Sequence, residues 1–306
     1  MLRCLFWNQA GKNLTQIVAE AAEILRPDVL IFCETGTSAN GTLEALNQRA
    51  SYHFTTGKIG DRFHVFTLFP SNFIEARHET ERFMISDVNL PARERFLLMT
   101  LHAPSKKAGC SESALSLEVA NYASSLRKAQ DDHVRPCVVV GDFNMNPFEP
   151  GLIGASAFNT VMDARQAQKE LRIVQGRSYN YFYNPMWNLY GDATPGPPAS
   201  MFYDSHTQEE LLWHMVDQVI VSAEMIKFLD IGSVRILDQI GQFRDLLMPQ
   251  YLAFQSYSLK SFNKSYLSLK ATSSSETTSP KSRFASSNHD LAFSFIGSFA
   301  SPLTMI

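Results

Sequence analysis

The sequence predicts an α/β fold: a four-layer α/β sandwich in which two packed mixed β-sheets are flanked by helices. Three observations carry that expectation. Strand-like runs are interleaved with helix-like ones. Some of the strand-like runs are apolar on both faces while others alternate, as when some strands are covered on both sides. Polar residues gather at the ends of these runs, where a packed scaffold commonly presents its site.

Taken in order, residues 2–7 read as a strand that stops at Asn8. Asn13 stands where a helix cap belongs, and Leu14, Ile17, Val18, Ala21, Ile24 and Leu25 recur at helical spacing. Pro27 ends that helix. Val29–Cys33 is a buried strand with Glu34 at its tip, so the chain opens as strand–helix–strand. Residues 63–69, 84–88 and 96–101 read as further strands, the last ending at His102. Leu115, Val119, Tyr122 and Leu126 form a helix stripe. Val138, Val139 and Val140 make a β-branched strand that stops at Gly141, followed by Asp142 and Asn144. Pro147 fixes the exit turn. Residues 163–173 are expected to be helix, residues 178–203 a long loop, and residues 216–221 a strand carrying Asp217. Residues 234–237 read as one more strand.

Beyond that point the character changes. Residues 239–266 are rich in Phe, Leu and Tyr, and residues 268–287 are dominated by Ser and Thr, a composition expected to be disordered. A strand-like run follows at 291–296. The expected organisation is one catalytic domain, 1–237 plus 288–299, with 238–287 an insertion or divergent low-complexity linker. A second reading makes the tail a divergent or out-of-frame segment.

A length of 306 residues suits one large domain or two small ones. The net charge of −3 argues against a strongly basic nucleic-acid-binding surface and leaves room for local phosphate contacts. No apolar run is long enough to span a bilayer, and the start lacks the cationic and small-residue features of a signal peptide. Cys4, Cys33 and Cys137 lie in or beside predicted strands, where a thiol acts as a small hydrophobe. Cys110 precedes a helix-like segment, and no Cys-x-x-Cys spacing occurs. Reduced thiols and a cytoplasmic location are the expectation.

Asp142 is the hardest strand-end residue to explain as structure alone, because a carboxylate straight after a buried strand is costly unless solvated, paired or ligating. With Asn144 two residues on, an acceptor and a donor would point the same way from extended chain. Such a pair suits activation of water against phosphate. Each neighbour also has a structural reading: Asn8 as a strand end, Glu34 as a solvated tip, His102 as a loop histidine bonded to backbone, Asn144 as an Asx turn, Asp217 as half of a salt bridge. Lys106 and Lys107 read as a solvated loop, with phosphate contact as the alternative. In the aromatic stretch 179–187, Phe182 and Trp187 read as packing and the tyrosines are open to base stacking. No clear apolar hairpin of the kind a membrane-lipid enzyme should show stands out.

Together, Asn8, Glu34, His102, Asp142, Asn144, Asp217 and His289 fall in an order that resembles the endonuclease/exonuclease/phosphatase superfamily, the DNase-I-like fold. The likeness runs from residue 1 to about 237 and includes the last strand. It implies Glu34 as principal ligand of Mg²⁺, or of Mn²⁺ in its place, assisted by Asn8. It implies that Asp142 orients or deprotonates the attacking water, that Asn144 donates to a phosphoryl oxygen, that His102 contacts the phosphate, and that His289 pairs with Asp217. The implied activity is Mg²⁺-dependent phosphodiester hydrolysis by in-line attack of water on phosphorus, foremost as a nuclease. A phosphomonoesterase or an inactive member acting as a binding module are the alternatives. The implied partner is nucleic acid or another phosphoester substrate, and the oligomeric state is left open. One departure stands out. The family's last motif usually reads Ser-Asp-His, whereas this chain has Ser287, Asn288, His289 and Asp290, and a neutral Asn288 ligates metal more weakly.

Overall fold

The computed structural model describes residues 2–55, 62–130, 136–204 and 208–243, and the backbone of 293–296. In chain order the elements are β1 (Leu2–Asn8), α1 (Thr15–Leu25), β2 (Val29–Cys33), α2 (Ala39–Asn47), β3 (His53–Thr55), β4 (Phe63–Thr67), β5 (Ile74–Glu79), β6 (Phe83–Val88), β7 (Phe96–His102), α3 (Glu112–Gln130) and β8 (Cys137–Asp142). They continue with α4 (Pro150–Ile153), β9 (Thr160–Val161), α5 (Ala164–Ala167), β10 (Leu171–Val174), β11 (Arg177–Asn180), β12 (Phe182–Tyr183), β13 (Met201–Phe202), β14 (Trp213–His214), β15 (Asp217–Ser222) and β16 (Phe293–Ile296).

Two mixed sheets dominate. One has five strands in the order β16-β1-β2-β4-β3, the other seven in the order β5-β6-β7-β8-β15-β12-β9. In the first, β1 runs parallel to β2 and to β16, while β4 is antiparallel to β2. In the second, the central β8 is parallel to β7 and antiparallel to β15. The α/β sandwich expected from the sequence is the architecture found.

The period-two geometry of the central strands divides the core. Val138 and Val140 of β8, Leu98 of β7, and Val219 and Val221 of β15 join one apolar cluster with Phe6, Ile31 and Phe66 of the first sheet. Cys137 and Val139, Leu97, Met99 and Leu101, and Ile220 join another, closed by Leu115, Val119, Tyr122 and Leu126 of α3. Even-numbered side chains of β7 and β8 and odd-numbered ones of β15 therefore face the other sheet. The opposite set packs under α3, using the helix stripe read from the sequence. Val18, Ala21 and Ala22 of α1 and Leu46 of α2 complete the first cluster.

Several expectations need correction. Residues 163–173 are not one helix: α5 stops at Ala167, Glu170 takes a left-handed φ of 67°, and the chain turns into β10. Gln175 and Gly176, with φ of 49° and 74°, form the two-residue turn that pairs β10 with β11; positive φ at both central positions matches the twist of a hairpin. Residues 178–203 are not a long loop, because β12 finds partners in β9 and β15 and the 3₁₀ turn Pro185–Leu189 follows. Residues 234–237 are not a strand; Val234 and Ile236 are instead buried from irregular chain. The β10–β11 hairpin also exposes Leu171 and Ile173, the latter by 75 %, so an exposed apolar hairpin does exist. It joins β12 where Phe182 pairs with Ser222, at the end of β15 away from Asp217. Cys4, Cys33 and Cys137 are buried, as small hydrophobes would be. Among the described residues no helix is long and apolar enough to cross a membrane. The low-complexity stretch 268–287 and the Ser287–Asn288–His289–Asp290 motif lie outside the described residues.

Candidate active site

Register brings the predicted residues together. His102, Asp142 and Asp217 occupy one row across three neighbouring strands: His102 pairs with Asp142, and Asp142 with Asp217. By the alternation above, all three belong to the face turned toward the first sheet. On that sheet Asn8 pairs with Cys33, and Glu34 follows directly. The tips of two sheets thus meet at one end of the sandwich.

Hydrogen bonds close the gap. Asn8 Nδ2 donates to Asp142 Oδ2 at 3.1 Å, linking the two sheets, while its Oδ1 accepts the Ala10 N–H at 3.0 Å. His102 Nε2 lies 3.3 Å from Glu34 Oε1 and 3.9 Å from Asp142 Oδ2. The other Asp142 oxygen accepts the Asn144 backbone N–H at 2.8 Å. Glu34 takes a left-handed φ of 48° although it is not glycine. Such a conformation costs on the order of 1–2 kcal/mol and is commonly retained where geometry serves a site. Its side chain is 41 % exposed, whereas the His102 and Asp142 side chains are buried.

Asn144 departs from the expected geometry. Its φ of 51° takes it out of the strand, and its Nδ2 donates to the Ala103 carbonyl at 2.9 Å. It does not project beside Asp142 as extended chain would require. What it supplies directly is the backbone N–H that orients the Asp142 carboxyl. Asp217 is buried and starts β15, its N–H donating to Ser200 Oγ at 3.0 Å. The proposed pairing of Asp217 with His289 involves a residue outside those described.

The electrostatics follow from crowding acids at a buried junction. Burial pushes the Asp142 carboxyl up to about 7; the Asn144 and Asn8 donors work against that, and Glu34 adds to it. The buried Cys33 thiol is raised by burial first and then by the charges of Asp142, Asp217 and Glu34, with Arg62 opposing. His102 is lowered to about 4 by burial, then by Arg62 and Arg82, so it is neutral at physiological pH.

Sequence reading missed those two arginines. Arg62 Nη1 lies 3.2 Å from His102 Nδ1, and the Arg82 carbonyl accepts the His102 backbone N–H at 2.9 Å. Arg62 does stand one residue before a strand whose Phe63 pairs with Cys33, a strand-tip position like those of the acids. Lys106 is engaged by Glu149, which also accepts the Asn146 N–H at 2.8 Å. Phe182 is buried against Phe158, and Trp187 packs at a ring distance of 6.2 Å on Phe148, itself 43 % exposed. Of the tyrosines, Tyr181 and Tyr183 are buried, and Tyr179 lies on the hairpin.

Among the described residues no three His, Cys, Asp or Glu side chains group as a metal-binding set. The candidate ligands, Glu34 and Asn8, are one carboxylate and one carboxamide. That set fits a small hard cation, because Mg²⁺ keeps several waters and needs only one or two carboxylates from the protein. The fit is also electrostatic: the charge of Glu34 helps to raise the Asp142 carboxyl, and a cation between them would relieve that repulsion.

Two mixed sheets packed face to face, with acids and a histidine meeting at their common end, define a DNase-I-like α/β sandwich. The Endonuclease/Exonuclease/phosphatase family model matches residues 4–235, and the chain belongs to that family. Members of this family are usually hydrolases of phosphoester bonds. Among solved structures the chain is similar to a humanized D. rerio TDP2 carrying 14 mutations, at 15 % identity over 72 % of this chain and 82 % of that one, with a TM-score of 0.43. It is similar to a β-hairpin deletion mutant of beta toxin from Staphylococcus aureus, at 11 % identity over 72 % and 87 %, with a TM-score of 0.44. It is also similar to the human Nocturnin catalytic domain, at 16 % identity over 68 % and 73 %, with a TM-score of 0.41. Among curated proteins none matches.

Proposed function

We propose that this chain is a divalent-metal-dependent phosphodiester hydrolase, foremost a nuclease, in which Asp142 activates water for in-line attack on phosphorus. The observation that carries this reading is the Asp142 carboxyl: buried, held by donors from both sheets, and raised to about 7. A general base is most effective with a pKa near the working pH. The Asn144 N–H and the Asn8 amide hold the carboxyl in one orientation, so an oxygen would meet an incoming water without a search. The proton leaves that water for Asp142 as the new P–O bond forms and the P–O bond opposite it breaks; the departing oxygen takes up a proton from solvent and leaves as an alcohol. His102, neutral and buried, offers a contact to a phosphoryl oxygen, and the second amide N–H of Asn144 offers another. Asp217 adds negative charge beside Asp142. The pairing of Asp217 with His289 is part of this proposal. Glu34 and Asn8 would hold Mg²⁺ or Mn²⁺, which supplies Lewis-acid neutralisation of the charge that develops on the phosphoryl oxygens.

A nuclease is favoured over a small-phosphate phosphatase because Arg62 and Arg82 bring positive charge to His102 and the loop after Asp142 carries the half-exposed ring of Phe148. The hairpin bearing Ile173 leaves the far end of β15, which speaks against delivering a lipid headgroup to this cleft.

Purified protein incubated with Mg²⁺ or with EDTA on single- and double-stranded DNA, RNA, abasic duplex and phosphomonoesters tests the reading. The expected result is metal-dependent cleavage of a nucleic acid, reduced at least ~100-fold in Asp142→Ala. Turnover confined to monoesters would reassign the chain as a phosphatase. Tight binding without turnover on every substrate would make it a binding module.

A further inference from the structure

We infer that Arg62 is the positioning residue that fixes the ring tautomer of His102, with the proton on Nε2. This rests on the site proposed above and gives a role to a side chain that proposal leaves outside the chemistry. Arg62 stands just before β4, on the sheet that carries Glu34, whereas His102 ends β7 on the other sheet. The contact therefore crosses between sheets, as the bond between Asn8 and Asp142 does.

The argument is one of donors and acceptors. Arg62 Nη1 approaches His102 Nδ1 at 3.2 Å. A guanidinium carries five N–H donors, has no acceptor and keeps its proton at any working pH. Nδ1 must therefore present a lone pair, and the single ring proton sits on Nε2. On that side of the ring stand two acceptors, Glu34 Oε1 at 3.3 Å and Asp142 Oδ2 at 3.9 Å. Both sides of the imidazole demand the same tautomer. The opposite one would set an N–H against the Arg62 N–H groups and a lone pair against two carboxyl groups. The backbone that carries the ring is also held, because the His102 N–H donates to the Arg82 carbonyl at 2.9 Å.

The consequence is a division of labour. A His102 with Nε2–H is a donor toward the space between Glu34 and Asp142, where a phosphoryl oxygen would accept from it. It has no lone pair on that side with which to take a proton from water. Asp142 is left as the base.

The tautomer is directly visible. Long-range ¹H–¹⁵N correlation spectra of ¹⁵N-histidine-labelled protein in EDTA distinguish a protonated Nε2 from a protonated Nδ1. The wild type should show Nε2 protonated. Arg62→Lys, which keeps a donor without an acceptor, should retain that pattern. Arg62→Met, which keeps the length without the donor, should raise the Nδ1-protonated fraction measurably although the two carboxyls still favour Nε2–H, and lower kcat by about 10-fold, with KM changed far less. A protonated Nδ1 in the wild type, or an unchanged tautomer in Arg62→Met, overturns the inference. The spectrum needs no turnover, so the two readings fail separately. A protein with Nε2–H that hydrolyses nothing sinks the hydrolase and leaves the tautomer assignment standing.

Discussion

Asp142, the proposed base, is a side chain whose protonation is coupled to folding. In the unfolded chain an aspartate titrates near 4, as any exposed carboxyl does. In the fold it is raised to about 7, by burial first and then by Glu34, with the Asn144 and Asn8 donors opposing. A folded pKa above the unfolded one means that the contribution to stability is complete below about pH 4 and is lost as pH rises through 7. The difference between those limits is on the order of a few kcal/mol. His102, held down to about 4, pulls the other way, because the unfolded chain takes up its proton first as pH falls below about 6.5. Comparison of two proteins isolates the aspartate. Metal-free wild type should lose stability relative to Asp142→Asn between pH 4 and pH 8, read as the difference in urea midpoints at each pH. Curves that stay parallel across that range would mean that Asp142 is not a buried acid. The same substitution should remove turnover if the proposed role of Asp142 holds, so that a residue that weakens the fold at working pH would be the one the proposed reaction requires.

At the scale of the element, the site depends on the close approach of two parallel strands. Gly141 pairs with Leu101, and a Cβ on it would lie 2.0 Å from the Leu101 carbonyl oxygen and under 3 Å from two more of its backbone atoms. Backbone on both sides leaves nothing flexible to yield. Gly141→Ala should therefore destabilise the fold by roughly 3 kcal/mol or more, measured by urea unfolding, and should move Asp142 away from His102. A loss within about 0.5 kcal/mol would mean that β7 and β8 are not packed this closely. The glycine after the valine run reads in the sequence as the end of a strand, but β8 runs through it to Asp142, and the reason for it, a neighbouring carbonyl, was not legible. The same division holds elsewhere. Long strands with β-branched interiors, the α3 stripe and the polar tips at Asn8, Glu34, His102, Asp142 and Asp217 could be read because each is written in local periodicity. The two-residue strands β9 and β12 could not, since they are strands only through partners distant in sequence. Left-handed Glu34 was equally invisible, as glutamate does not announce a positive φ, and Asn144, of a type that tolerates one, was read as extended chain. The second of these changed the expected geometry, turning the Asn144 amide toward Ala103.

Across the whole molecule, the candidate site is also the joint between the two sheets. Asn8 and Glu34 come from one sheet, and His102, Asp142 and Asp217 from the other. Without a cation, the contacts across this joint include one amide–carboxyl bond, between Asn8 and Asp142, set against the mutual repulsion of crowded carboxyls. A divalent cation on Glu34 and Asn8 would reverse the sign of that balance and favour the docked sheets over the unfolded chain. Ligand that binds only the folded state stabilises it by RT ln(1 + [L]/Kd), about 2.7 kcal/mol at a hundredfold excess over Kd. Mg²⁺ or Mn²⁺ should then raise Tm at pH 8 in a saturable way while the transition stays cooperative, because both sheets share one apolar cluster. NaCl at matched ionic strength should not do so, since it only screens. Glu34→Gln removes the charged ligand and should abolish most of the metal-dependent shift while relieving repulsion, leaving its metal-free Tm equal to or above that of the wild type. If Mg²⁺ and Mn²⁺ move the wild type no further than NaCl does, or move Glu34→Gln equally far, the cation is not held at this joint and the acids gathered there need another explanation.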